Sequence, residues 1–127
     1  MKSNILTLLI KEVDQPIKEI AITNTLESYY NAIDCDLIEF YYPFEERPDL
    51  CCIIDEEGRL KRRLISWRVP KSNMGLNGTI LFAKDDGMGN TISLNREDIE
   101  FIKSRCQFSH YATFERDFDC NYTIMGW

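Results

Sequence analysis

No apolar run in this chain is longer than a β-strand, and that limits its fold more than any other feature. Ile5 to Ile10 is among the longest and is already interrupted by Thr7. A membrane-spanning helix needs about 20 apolar residues in succession, and no run approaches that length. Ile17 to Ile22, Leu37 to Tyr42, Leu50 to Ile54, Thr79 to Ala83 and Thr91 to Leu94 are comparable short runs. Their β-branched and aromatic content fits strands. Turn chemistry separates them. EVDQP closes an opening hairpin, PFEERPD is a loop, DEEG places Gly58 for a positive φ, and DDGMGN joins two later strands. A further strand is expected from Leu60 to Val69, anchored by Leu60, Leu64 and Trp67, with a loop from Pro70 to Gly78.

Two segments carry helical signals instead. Asn24 reads as an N-cap with Glu27 three residues on, and Leu26, Tyr29, Tyr30 and Ile33 fall on one face before a stop near Asp34. Asn95 caps a second helix with Asp98 reinforcing its start. Ile99, Ile102 and Cys106 share a face there, with Phe101 and Arg105 beside it. The expected fold is a single α+β domain, with a mainly antiparallel sheet and two short helices. A length of 127 residues suits one such domain, and 44% hydrophobic and 12% aromatic content excludes a disordered chain. Residues 5–110 form its expected core, and 111–127, which alternate aromatic and charged residues, a C-terminal extension.

The five cysteines, Cys35, Cys51, Cys52, Cys106 and Cys120, have no metal-ligand spacing, so neither a metal site nor a cofactor is expected. The N-terminus reads as a buried first strand rather than a signal peptide, and an odd cysteine count without a leader fits reduced thiols in a cytosol. Catalytic constellations are weak. His110 is the sole histidine, so a Cys106–His110 pair would use the one imidazole in the chain, and no enzymatic activity is expected. The glycines of GMGN do not follow dinucleotide-binding order. Asp85, Asp86 and Asn90 lack the later bidentate glutamate of a calcium loop.

Charge is distributed more tellingly. Residues 1–57 carry −9, residues 58–76 carry +6 and residues 77–127 carry −3, which together give the formal charge of −6. The basic segment sets Arg59, Arg62, Arg63, Arg68 and Lys71 around Trp67, a composition suited to phosphate contact with base stacking. It equally suits neutralisation of the acidic half, or a protein contact such as a homodimer. The acidic stretch sets Glu39, Glu45, Glu46, Glu56 and Glu57 among aromatics that include Tyr41 and Tyr42. Carboxylates beside aromatics can imitate a phosphate backbone and occupy another protein's nucleic-acid groove. The overall negative charge argues against direct binding to duplex DNA.

The segments LTLLIKEVDQPIKEIAI, TLESYYNAI, CIIDEEGRLK, LNGTILFAKDDG and SLNREDIEFI, spanning roughly residues 5 to 103, resemble the family known as domain of unknown function 3846. That resemblance implies a small protein of phages, plasmids or integrative elements, with no known activity. Its genes often sit near antirestriction and other counter-defence genes. After the DEEG turn, where the family usually carries an Asn-Arg-like pair, this chain reads RRLISWRVPKSN.

Two main expectations for function follow, beside a third, a self-assembling structural subunit with no activity of its own. One is a non-enzymatic anti-defence protein in the cytoplasm of a bacterial host. It would use the acidic–aromatic stretch to block a host immune protein or ribonucleoprotein, such as a CRISPR effector or restriction enzyme. The other is a protein that sequesters a small nucleotide, with Arg62, Arg63 and Arg68 on phosphate and Trp67 or Phe82 stacked on the base.

Overall fold

The opening hairpin forms where the pattern places it. Strand β1 (Ile5–Lys11) pairs antiparallel with β2 (Lys18–Thr23), in register from Ile5 opposite Thr23 to Ile10 opposite Lys18. Asp14 makes the connection at φ 61°, a left-handed conformation that aspartate tolerates better than most residues. The computed structural model describes residues 4–58, 60–61, 63–69 and 74–106. The rest of the chain, including the expected extension at 111–127 and His110, lies outside the described residues.

Helix α1 (Leu26–Ile33) starts one residue later than expected. Thr25 is the N-cap, its hydroxyl accepting from Ser28 N–H at 3.1 Å, while Asn24 is diverted to accept from the Tyr29 hydroxyl. The helix ends at Asp34 in the left-handed conformation, whose N–H returns to the Tyr30 carbonyl at 2.7 Å. Tyr29 and Ile33 are buried, but Leu26 is exposed.

The main sheet continues with β3 (Ile38–Tyr41), β4 (Leu50–Asp55), β7 (Ile80–Asp85) and β8 (Thr91–Ile92). Its order is β2-β1-β7-β4-β3, every pairing antiparallel. β8 takes over beside β7 where β1 stops, opposite Lys84 and Asp85. A separate two-stranded ribbon consists of β5 (Ile65–Arg68) and β6 (Gly75–Asn77), with an irregular register between Ile65 and Trp67. Helix α2 (Arg96–Cys106) follows Asn95 as expected. The described residues thus form a single α+β domain with two helices.

Both faces of the central strands are covered, which explains the unbroken apolar run of β4. On one face Leu8, Ile10, Cys51, Ile53 and Leu81 pack under Tyr29 and Ile33 of α1. On the other, Leu9, Cys52, Ile80 and Phe82 meet Ile99, Ile102 and Cys106 of α2, with Phe44, Trp67, Val69 and Leu76. Each fully buried aliphatic or aromatic side chain here contributes roughly 1.5–3 kcal/mol.

The segment from Leu60 to Val69 departs from expectation. Its strand covers only Ile65–Arg68, and Leu60 and Leu64 are exposed rather than anchoring it. Leu60 and Lys61 lie instead in the turn that follows β4. Gly58 does not take a positive φ. Glycine suits that position because a Cβ would stand 3.0 Å from the Asn77 carbonyl oxygen. Positive φ occurs at Gly78, Gly87 and Gly89.

Candidate functional site

The strand pleat divides the acidic–aromatic stretch between two faces. Along β3, Glu39 and Tyr41 point to the α2 side, where Tyr41 packs on the core with Ile54. Ile38 packs on the α1 side, which is the side that Phe40 shares. Glu39 and Tyr41 line a groove of about 270 Å³, closed by Glu56 and Gly58 of the turn after β4 and by Met74, Leu76 and Asn77 around β6. Glu39 and Glu56 are both exposed on its rim.

A second depression, about 120 Å³, lies along the same strand and is lined by Phe40, Tyr42, Cys51, Asp85, Asn90 and Thr91. The Tyr42 hydroxyl donates to Asp85 at 2.9 Å. Burial and that hydrogen bond push the Tyr42 phenol up to about 12, so it remains a donor across the neutral range. Asp86 is absorbed by its own turn, accepting from Met88 and Asn90 backbone N–H groups.

Cations engage several other carboxylates near the stretch. Glu46 meets Arg105 at 2.6 Å. Arg47 holds Asp49 through two hydrogen bonds of 3.1 Å and reaches Asp98 at 2.6 Å. Arg105 stacks over the Phe101 ring, 4.4 Å from its centroid, and Phe44 meets the same ring edge-on. These contacts fasten the 43–49 loop to α2. Glu45 is exposed on that loop, and Glu57 is half-buried, its N–H donating to Asp55.

The basic segment serves the fold at the positions that are described. Asp55, 5% exposed at the end of β4, receives Lys61 at 3.0 Å and Arg63 at 3.3 Å. Its hydrogen bond raises the Lys61 ammonium pKa. Arg63 also donates to the Asp34 carbonyl at 2.6 Å, at the end of α1. Two cations of the segment therefore neutralise the acidic half of the same molecule. Trp67, expected as a stacking surface, is 1% exposed and wedged between Phe44 and Phe82, with ring centroids 5.9 and 5.3 Å away. Phe82 is itself fully buried, so neither ring has a face for a base. Arg68 is half-buried on β5. Arg59, Arg62 and Lys71 lie outside the described residues.

The thiols offer little chemistry. Cys35, Cys51, Cys52 and Cys106 are buried, and burial pushes Cys51 up to about 12. Such thiols are protonated and poorly nucleophilic. Among the described residues, no group of three His, Cys, Asp or Glu side chains is placed to hold a metal, and no helix is long and apolar enough to cross a membrane.

Met74, Leu76 and Asn77 were not singled out by sequence reasoning, and Asp85 was weighed there only as part of a calcium loop. β4 sets Asp85 across from Tyr42, and the β5–β6 ribbon brings the other three to the groove wall, so no local pattern announces them.

Fold and surface together define an antiparallel α+β domain with an acidic, aromatic sheet edge. The model of the family described as domain of unknown function (DUF3846) matches residues 6–107, and this chain belongs to that family. Comparison with curated proteins finds no match, and comparison with solved structures finds none.

Proposed function

We propose that this protein is a non-enzymatic inhibitor carried by a phage or other mobile element, acting in the cytoplasm of its bacterial host. It binds a host immune protein or ribonucleoprotein through the acidic–aromatic edge at β3. CRISPR effectors and restriction enzymes are the natural targets, because both present basic grooves to nucleic acid. The observation that carries this reading is the groove beside β3. There Glu39 and Glu56 stand exposed next to Tyr41, while Lys61 and Arg63 are paired with Asp55, which also lines the groove. The carboxylates would occupy positions meant for phosphates, and the net charge of −6 would steer encounter with a basic surface.

The ligand-sequestering alternative receives less support. Both rings assigned to base stacking lie in the core, and Arg63 is engaged by Asp34 and Asp55.

The test is phage infection of bacteria carrying an active CRISPR or restriction system, with the protein expressed in trans. The wild type should restore plaque formation, and charge reversal at Glu39, Glu45 and Glu56, all exposed, should abolish the rescue without unfolding the protein. Undiminished rescue by the triple variant would contradict the reading.

A further inference from the structure

We propose that the outer edge of β3 accepts an extended basic segment of the partner protein as an added strand. The inference rests on reading this surface as partner-binding and specifies how the partner is held. Among the described residues, β3 pairs only with β4. The hydrogen-bond alternation tells which backbone groups are spare. Glu56 N–H donates to the Leu37 carbonyl at 3.1 Å, and on the opposite side of β4, Asp85 N–H donates to Asp49 at 2.8 Å. Bonded pairs alternate along an antiparallel ladder. Leu37, Glu39 and Tyr41 therefore direct their backbone groups toward β4. Counting from Asp49 gives the same answer: residues 51 and 53 bond β7, leaving 52 and 54 to face Tyr41 and Glu39. The N–H and C=O groups of Ile38 and Phe40 point outward from the sheet.

Side chains flank this edge on both faces. Glu39 and Tyr41 border the larger groove with Glu56, and Phe40 and Tyr42 border the smaller one with Asp85. An added strand sends alternate side chains to those two sides. Carboxylates stand on both, so the complementary side chains are Lys and Arg. Phe40 and Tyr42, 41% and 46% exposed, also offer ring faces to a guanidinium. The same carboxylates repel a phosphate backbone, which favours a basic peptide over nucleic acid.

The probe is a peptide of about eight residues, slightly longer than a typical strand, repeating Lys-Lys-Val-Val so that lysines reach both sides of the edge. It is titrated onto the full chain beside an alternately N-methylated copy and a glutamate–valine analogue. The lysine peptide should bind and slow amide exchange at Ile38 and Phe40, and the glutamate peptide should not bind. N-methylation should weaken binding about tenfold, the equivalent of one or two main-chain hydrogen bonds. Phe40→Pro should weaken it more than Phe40→Ala, because proline at this edge position removes an outward N–H and spares the β4 ladder.

Absence of binding, equal affinity for the N-methylated peptide, or protection elsewhere would overturn the proposal. A concentration-dependent dimer dissolved by Phe40→Pro would also overturn it, by assigning the edge to a second copy. Its failure is separable from that of the anti-defence reading. Phage rescue that survives Phe40→Pro refutes strand addition alone. Peptide binding as described, without rescue of any phage, refutes the anti-defence role alone.

Discussion

On the α2 side, the buried Asp98 ties the helix to two cations and to its own cap. Its side chain is 1% exposed, yet it accepts from Asn95 N–H at 2.9 Å, from Arg47 at 2.6 Å and meets Lys84 at 3.1 Å. Asn95 returns the bond to Asp98 N–H, closing a reciprocal cap. Burial alone would raise the Asp98 pKa, but the Asn95 N–H, Arg47 and Lys84 outweigh it and hold the carboxyl below its ordinary value of 3.8. A depressed carboxylate contributes stability above its unfolded pKa and loses it as pH falls through the folded value. Asp98→Ala should therefore cost about 3 kcal/mol at pH 7, read from urea denaturation, and the difference from wild type should narrow in strong acid. Lys11 works the other way. It is 1% exposed, and burial lowers its ammonium to about 8, with the Glu12 carbonyl as hydrogen-bond acceptor. Between pH 8 and 10.5 the unfolded chain binds this proton and the folded chain does not, so folding is penalised progressively as pH falls through that window. Lys11→Met should raise stability by up to about 3 kcal/mol at pH 7. That advantage should vanish near pH 10.5, as denaturation midpoints across the window will show.

At the scale of elements, Asp55 decides how the basic segment lies. It joins the end of β4 to Lys61 and Arg63, and Asn77 adds a bond from β6 to the Arg63 carbonyl at 2.7 Å. Asp55→Asn should loosen this turn and accelerate tryptic cleavage at Lys61 and Arg63 in the native protein, while cleavage at Arg96 stays slow. These elements also mark where sequence reading succeeds. The opening hairpin, β4, β7 and the two helices described are announced by short-range signals: apolar runs of strand length, helical spacing and, for α2, the Asn95 cap. The cap of α1 is Thr25 and not Asn24. The ribbon is not announced, because Leu60 and Leu64 look like anchors yet face solvent, while Trp67 alone turns inward beside Phe44 and Phe82. What places Trp67 in the core is the covering requirement of a sheet face, set by strands far away in sequence. The groove is legible only in part for the same reason. Glu39, Tyr41 and Glu56 share a continuous stretch, but which carboxylates remain on the surface depends on Arg47, Lys61, Arg63 and Arg105 reaching the others.

For the molecule as a whole, an excess of negative charge surrounds a basic segment partly consumed within the fold. Mid-chain cations are paired with Asp55, and the acidic rim of the β3 groove is left facing outward. The central claim is that this rim holds a basic partner. The direct measurement is capture from host lysate on the tagged protein, eluted in rising salt, comparing wild type with Glu39→Lys/Glu56→Lys and analysing protein, nucleic acid and nucleotides in each eluate. The account predicts one immune nuclease or effector released by salt from the wild type and missing from the double variant. An eluate containing only a nucleotide, or the same protein captured equally by both forms, would contradict it.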